Sequence, residues 1–378
     1  MRAEWLRLVG AALLGGLVTY GWLVGPPVRD LLGRRVRDVD LPRERGILQR
    51  GGAPCPLTVT TGWRVERVEV EVDSRLVSGA TARPLQPAGW GTFRGALPLA
   101  PGWNLVAARA FQGVHPTWTG TWQVGVGEVF LVAGQSNAVG ASAQLFRASE
   151  HVRAGDLQPD GTLRWRSGDD PQSPFGGGSP WPELGRLIAA HTRTPVGFIN
   201  VGQGGTHVGE WAVGTPLHTR LVRALEATRP HGVRAVLWQQ GETSRSGIPE
   251  ADDRDYHDTL AAVIADTHRV AGMPQAPWFV ARVGHTGFAP HRGHRQAQER
   301  LWREGLALPG PDLDDLGAPW READHVHFNG RGQVEVARRW FQALKRQGLL
   351  PEVKQAQQAP VATTDPNAAP PLQGTASP

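Results

Sequence analysis

The chain has 378 residues, 40 of them Lys or Arg against 35 Asp or Glu, for a net charge of +5; 40% are hydrophobic. This length suits two domains with tails, and the apolar content excludes wholesale disorder; 48 Gly and 31 Pro mark a loop-rich globular protein. Only Lys345 and Lys354 are lysines, and no basic cluster interleaved with aromatics stands outside the N-terminal connector, which argues against nucleic acid as a partner. The single cysteine, Cys55, rules out an internal disulfide and a cysteine-based zinc site.

Residues Leu8 to Gly25 carry no charge and follow Arg2 and Arg7. As a helix they would span roughly 27 Å, enough for a bilayer core, so the expectation for 1–25 is an uncleaved transmembrane anchor that makes the membrane a partner. Residues 26–50 read as an Arg-rich, Pro-containing linker. From 51 to 126 the pattern is β: Val68, Val70 and Val72 alternate with Glu69 and Glu71, and turn signals recur at Pro84, Pro87–Gly89 and Pro101–Gly102. A small β-sandwich is expected there. Its Trp90, Phe93, Trp103, Trp118 and Trp122 are core residues or a sugar-stacking face.

From 127 to 350 the period changes. Continuous apolar runs at 129–133, 196–201, 235–239 and 278–283 read as strands buried on both faces. Helical stretches separate or follow them at 182–192, 216–228, 252–270, 294–306 and 332–347. This alternation predicts an α/β fold with a parallel sheet and helices on both faces. The segments 141–180 and 284–293 read as loops, and 141–180, rich in Gly, Pro, Ser and Asp, as one that shapes the pocket mouth. The Ala/Pro/Gln-rich 351–378 reads as a disordered tail.

In an open parallel sheet, ligands bind beyond the carboxyl ends of the strands. Four unusual segments fall there: Gly134-Gln135-Ser136-Asn137, Gly202-Gln203-Gly204-Gly205-Thr206, Gln239-Gln240-Gly241-Glu242-Thr243, and Asp324-His325-Val326-His327-Phe328-Asn329-Gly330. Ser136 sits at a strand-to-helix turn and, as a weak nucleophile, needs a base. His327 can supply it, with His325 as a competitor, and Asp324 can orient the ring. Oxyanion donors are sought in the Ser136 N–H, an N–H of Gly204 or Gly205, and the Gln240 side chain. Gln135, Asn137 and Glu242 join them as oxyanion or substrate-binding candidates; Glu242 reads alternatively as a buried structural carboxylate. No metal ligands are assigned.

The segments GEVFLVAGQSNAVG, GQGGTHVGEW, LWQQGETS and PGPDLDDLGAPWREADHVHFNGRG resemble the successive blocks of the sialate O-acetylesterase-like, carbohydrate esterase family six branch of the SGNH hydrolases, over about 128–347. The β segment before them resembles the Ig-like domain of bacterial members. The resemblance implies a three-layer αβα sandwich and a serine esterase without cofactor, with Ser136 as nucleophile, His327 as base and Asp324 as its partner. It departs from the wider superfamily at Gln240, where an Asn donor is usual, and at Ala138, where Met is common.

The expected function is removal of O-acetyl groups from a carbohydrate through an acetyl-enzyme. The alternatives are an inactive carbohydrate-binding or adhesion protein and a serine hydrolase of another ester class. Six arginines after the apolar segment would hold the body in the cytoplasm by the positive-inside rule. A carbohydrate substrate suits the other side, so the expectation adopted is an extracytoplasmic catalytic domain.

Overall fold

The computed structural model describes residues 36–350, apart from 43, 52–53, 63, 75–81, 174–175, 245–247, 271–275, 286 and 288. The anchor expected at 1–25 and the tail at 351–378 lie outside the described residues. Among the described residues, no helix is long and apolar enough to cross a membrane.

The expected linker at 26–50 is not free of structure where it is described. Strands β1 (Val36–Val39) and β2 (Ile47–Gln49) fall within it. They are followed by β3 (Cys55–Thr61), β4 (Arg67–Ser74), β5 (Arg83–Pro84), β6 (Gln86–Pro87), β7 (Thr92–Leu97) and β8 (Gly102–Gln112). One antiparallel sheet has the order β1-β3-β7-β6. Strands β4 and β5 pair antiparallel, and β4 also pairs with β8. The alternation read from the sequence has a direct cause: Val68 and Val70 face inward and join Leu57, Val59, Phe93, Val106 and Val124 in one apolar cluster drawn from both sheets. The aromatics divide. Phe93 is core, Trp118 and Trp122 pack partly buried against the cluster, and Trp90 is 95% exposed.

No loop separates this part from the next. Strand β9 (His115–Gly134) is 20 residues long. Its first half pairs antiparallel with β8, and its last residues pair parallel with β12 (Val196–Asn200) and β13 (Ala235–Gln239). The boundary expected at 126/127 therefore lies inside one continuous strand. The expected loop at 141–180 contains a hairpin, β10 (Val152–Leu157) and β11 (Leu163–Ser167). With β14 (Trp278–Arg282) and β15 (Leu308–Asp312), the central path runs β11-β10-β12-β9-β13-β14-β15. All neighbours along it are parallel except β10 and β11. Strand β15, which reads LPGPD, ends this path, where prolines cost no interior ladder bond.

The helices are α1 (Ser136–Val139), α2 (Trp181–Thr192), α3 (Pro216–Glu226), α4 (Pro249–Val270), α5 (Arg292–Arg303) and α6 (Gly330–Arg346). Side chains alternate along β9, so each sheet face gathers its own core. Val129, Leu131 and Ala133 join Trp238, Val280 and residues of α3, α4 and α5, including Leu221, Leu260 and Leu301. Phe130 and Val132 join Leu237, Phe279 and residues of α2 and α6, including Trp181, Ile188 and Trp340. Helices thus cover both faces of the sheet, and the carboxyl ends of β9, β12 and β13 open at one rim.

Candidate active site

At the end of β9 the chain turns at Gly134, whose φ of +129° and approach to Gln239 leave no room for a side chain: a Cβ there would lie 2.0 Å from the Gln239 carbonyl oxygen. The turn delivers Ser136 as the first residue of the single-turn α1. Across the rim, residues 321–328 form a short return closed by the Arg321–Phe328 bridge and carry His327. The Ser136 Oγ lies 2.8 Å from His327 Nε2, and His327 Nδ1 lies 2.6 Å from Asp324 Oδ2. His325, the competing base, is exposed and has a positive φ of 60°.

Asp324 both shapes this return and orients the ring. Its Oδ1 accepts the backbone N–H groups of Val326 and His327, each at 2.9 Å. Burial works against its charge, but these amides and the His327 ring outweigh burial and hold the carboxyl below its ordinary range. An ionised carboxylate only accepts, so His327 Nδ1 carries the proton shared with it. The neutral ring then presents the Nε2 lone pair to the Ser136 hydroxyl.

Gly204 faces the same point: a Cβ built on it would lie 3.8 Å from the Ser136 Cβ. Gly205, with a φ of +74°, makes the turn that brings the loop there. Gln203 N–H donates to the Gly134 carbonyl at 2.9 Å and ties this loop to the serine turn. The Ser136 N–H begins a helix and has no partner one turn back to donate to.

The remaining expected site residues are not aimed at the cleft. Gln240 is fully buried, and its amide donates to Gln135 Oε1 at 3.0 Å and to the Thr206 carbonyl at 3.2 Å. Both of its N–H groups are thereby occupied, which removes it as an oxyanion donor. Gln135 Oε1 also accepts the backbone N–H groups of Gly241, Glu242 and Thr243, clamping the loop after β13 onto the serine turn. Asn137 donates to Glu242 Oε1 at 2.8 Å and to the Val326 carbonyl at 3.2 Å, and it accepts from the Phe328 N–H at 3.2 Å. It joins the serine turn to the histidine return. Glu242 is a buried carboxylate whose pKa is raised, chiefly by burial, with the Asn137 bond opposing. Its alternative reading as a structural residue fits this placement; direct substrate contact does not.

Several supporting residues carry no signal in the sequence. Arg321 is buried over the Phe328 ring and donates to the carbonyls of Leu316, Leu313 and Val326, fixing the return from behind. Tyr256 and Gln298 both donate to the Gln240 carbonyl, at 2.6 and 3.1 Å. Trp181 and Asn200 both donate to the Ala138 carbonyl, at 2.7 and 2.8 Å. No spacing rule in the sequence distinguishes any of these residues from its neighbours.

Ser136, His327 and Asp324 thus meet at the rim of a largely parallel sheet. Residues 126–346 match the family described as carbohydrate esterase, sialic acid-specific acetylesterase, and the chain belongs to that family. It is a sialate O-acetylesterase-like carbohydrate esterase, as the resemblance of its sequence blocks implies. A relative in Arabidopsis thaliana, named as a probable carbohydrate esterase, is 23% identical over 234 residues, 55% of this chain and 86% of the relative. A carbohydrate acetylesterase of Xanthomonas citri superposes with a TM-score of 0.57 at 19% identity, covering 82% of this chain and 75% of that one. A solved Arabidopsis thaliana protein gives a TM-score of 0.48 at 20% identity, covering 58% of this chain and 98% of that one.

Proposed function

We propose that the protein is a serine esterase that removes O-acetyl groups from a carbohydrate through an acetyl-enzyme. The observation that carries this is the chain of contacts from Ser136 Oγ to His327 Nε2, 2.8 Å, and from His327 Nδ1 to Asp324 Oδ2, 2.6 Å. In this reading the Ser136 oxygen attacks the ester carbonyl as its proton passes to His327 Nε2. The carbonyl π electrons move onto oxygen, and the tetrahedral oxyanion faces the N–H groups of Ser136 and Gly204. When the C–O bond to the sugar breaks, the His327 proton goes to the departing sugar oxygen. Water then gives its proton to His327, attacks the acetyl carbon and releases acetate, and the proton returns to Ser136. Asp324 stays ionised throughout and stabilises the charged ring. The fold is read as an SGNH-type αβα sandwich, with the strands before β9 as an Ig-like sandwich attached through β9 itself.

The test is acetate release from a panel of acetylated sugars and from p-nitrophenyl acetate, with Ser136→Ala as the paired control. The expected result is a loss of at least about 10³-fold in kcat in the variant, with an unchanged melting temperature. Full activity in the variant would remove Ser136 as nucleophile. Wild-type protein that is folded and turns over none of these substrates would remove the esterase reading.

A further inference from the structure

Beside Gly241, in the loop after β13, three side chains that play no part in the proposed chemistry converge. They are Asp252, near the start of α4, His291, which caps α5, and His294, in its first turn. One ligand-type atom from each lies within 4.8 Å of the other two. Asp252 and His294 are each 3% exposed, and the His291 side chain is 12% exposed. We infer that these three residues form a binding site for a divalent first-row transition metal of the zinc class.

His294 Nδ1 lies 2.6 Å from the Gly241 carbonyl oxygen. A carbonyl only accepts, so Nδ1 carries the proton and Nε2 keeps its lone pair. This is the outer bond by which metal-binding histidines are oriented and fixed in one tautomer. The His291 and His294 rings lie 4.3 Å apart, centroid to centroid, and tilted by 37°.

His291 Nε2 lies 3.2 Å from Asp252 Oδ2, yet among the described residues this buried nitrogen has no hydrogen-bond partner. The two atoms approach closely without the alignment of an N–H donor and its acceptor. Two ligands held about 2.1 Å from one tetrahedral ion sit about 3.4 Å apart. The observed separation is therefore close to that of neighbouring ligands around a common centre. The Asp252 carboxylate is itself steadied by the Ser244 hydroxyl. The arrangement has one cost. His291 Nδ1 accepts the His294 N–H at 3.4 Å, and ligation through Nε2 would place a proton on Nδ1 and end that bond. At this length it is the weakest bond in the cluster.

Two imidazoles and one carboxylate are donors that suit zinc and its first-row neighbours rather than calcium or magnesium. Three protein ligands leave a fourth position for water. The ion would join the starts of α4 and α5 beside Gly241, so its first consequence is stability rather than chemistry at Ser136.

The experiment uses the full chain without an affinity tag, stripped with a chelator, titrated with Zn²⁺ by calorimetry and with Co²⁺ by visible absorption. One equivalent of each metal, a cobalt d–d band and a melting temperature raised by excess zinc are expected. His291→Asn keeps a capping acceptor at the start of α5 while removing the ligand. It should fold and lose both the stoichiometric binding and the cobalt band. Asp252→Asn provides the same reading should His291→Asn fail to fold. Ser136→Ala should retain the metal, since the site does not depend on the esterase reading. Folded wild-type protein that takes up neither metal, or a folded His291→Asn variant that binds as tightly as wild type, would overturn the inference.

Discussion

Ser136, His327 and Asp324 meet at the edge of solvent, with the His327 and Asp324 side chains 29% and 47% exposed. Gln135 and Asn137, on either side of Ser136, and Gln240 and Glu242, from the loop after β13, are sealed beneath them, none more than 8% exposed. The outer three pair side chain with side chain, and their contacts lie where a substrate can enter. The inner four direct most of their bonds to backbone groups of other loops. One block thus holds two kinds of residue side by side. In Gly-Gln-Ser-Asn, only the serine faces the cleft; its two neighbours bolt the serine turn to the loops that carry the rest of the site.

Variants can break or sharpen this contrast. The largest effect is expected in the outer group. Asp324→Asn retains an acceptor for the Val326 and His327 amides but offers an N–H to His327 Nδ1, which favours the wrong tautomer. kcat should fall by about 10² to 10⁴-fold with little change in melting temperature. A steady-state assay beside a thermal melt checks this, and a large loss of stability would place Asp324 with the inner group instead.

Gln240→Ala tests the inner group. An oxyanion donor lost from this position would cost about 10²- to 10³-fold in kcat at constant stability. The structure predicts the opposite pattern. Removing the amide leaves the Thr206 carbonyl without that donor and opens a cavity, for a loss of about 1–3 kcal/mol in denaturant unfolding, while kcat falls less than about 10-fold.

The smallest effect is expected at Glu242. Burial raises its carboxyl pKa, so the folded protein keeps a proton that the unfolded chain releases. Its contribution to stability is therefore present at low pH and is lost as pH rises from the ordinary carboxylate range through the raised folded value. Glu242→Gln keeps an acceptor for Asn137 and cannot ionise. Its melting temperature should gain on wild type as pH rises from about 4 to about 8. A difference that stays constant with pH would mean that Glu242 is not held protonated in the fold.

Much of the catalytic region is legible in the chain. The runs at 129–133, 196–201, 235–239 and 278–283 are strands because each lies between two apolar layers and has no polar face to show. The helices at 182–192 and 216–228 start within a residue of their expected positions. Strand β15 escapes because Pro309, Gly310 and Pro311 suppress the usual strand signal. Strands β10 and β11 escape because they lie among the Gly, Pro and Asp residues of a segment that reads as loop. The division expected at 126/127 fails to appear as a break because β9 serves two partners in turn, and a single strand's sequence does not record which strands will flank it.

That Ser136, Asp324 and His327 would meet could be anticipated from sequence because their residue types suit one another and the Asp-x-x-His spacing lets a local turn bring Asp324 under His327. The direction of the side chains at 135, 137, 240 and 242 could not be chosen in this way. Glutamine, asparagine and glutamate suit a cleft and a buried hydrogen-bond network equally well, so their roles depend on which backbone groups arrive beside them. Those groups come from loops more than a hundred residues away: Gln135 meets the turn at 241–243, and Asn137 meets Val326 and Phe328. Only the assembled sheet brings them within hydrogen-bonding distance, and once buried there, each polar group has to be satisfied by whatever faces it.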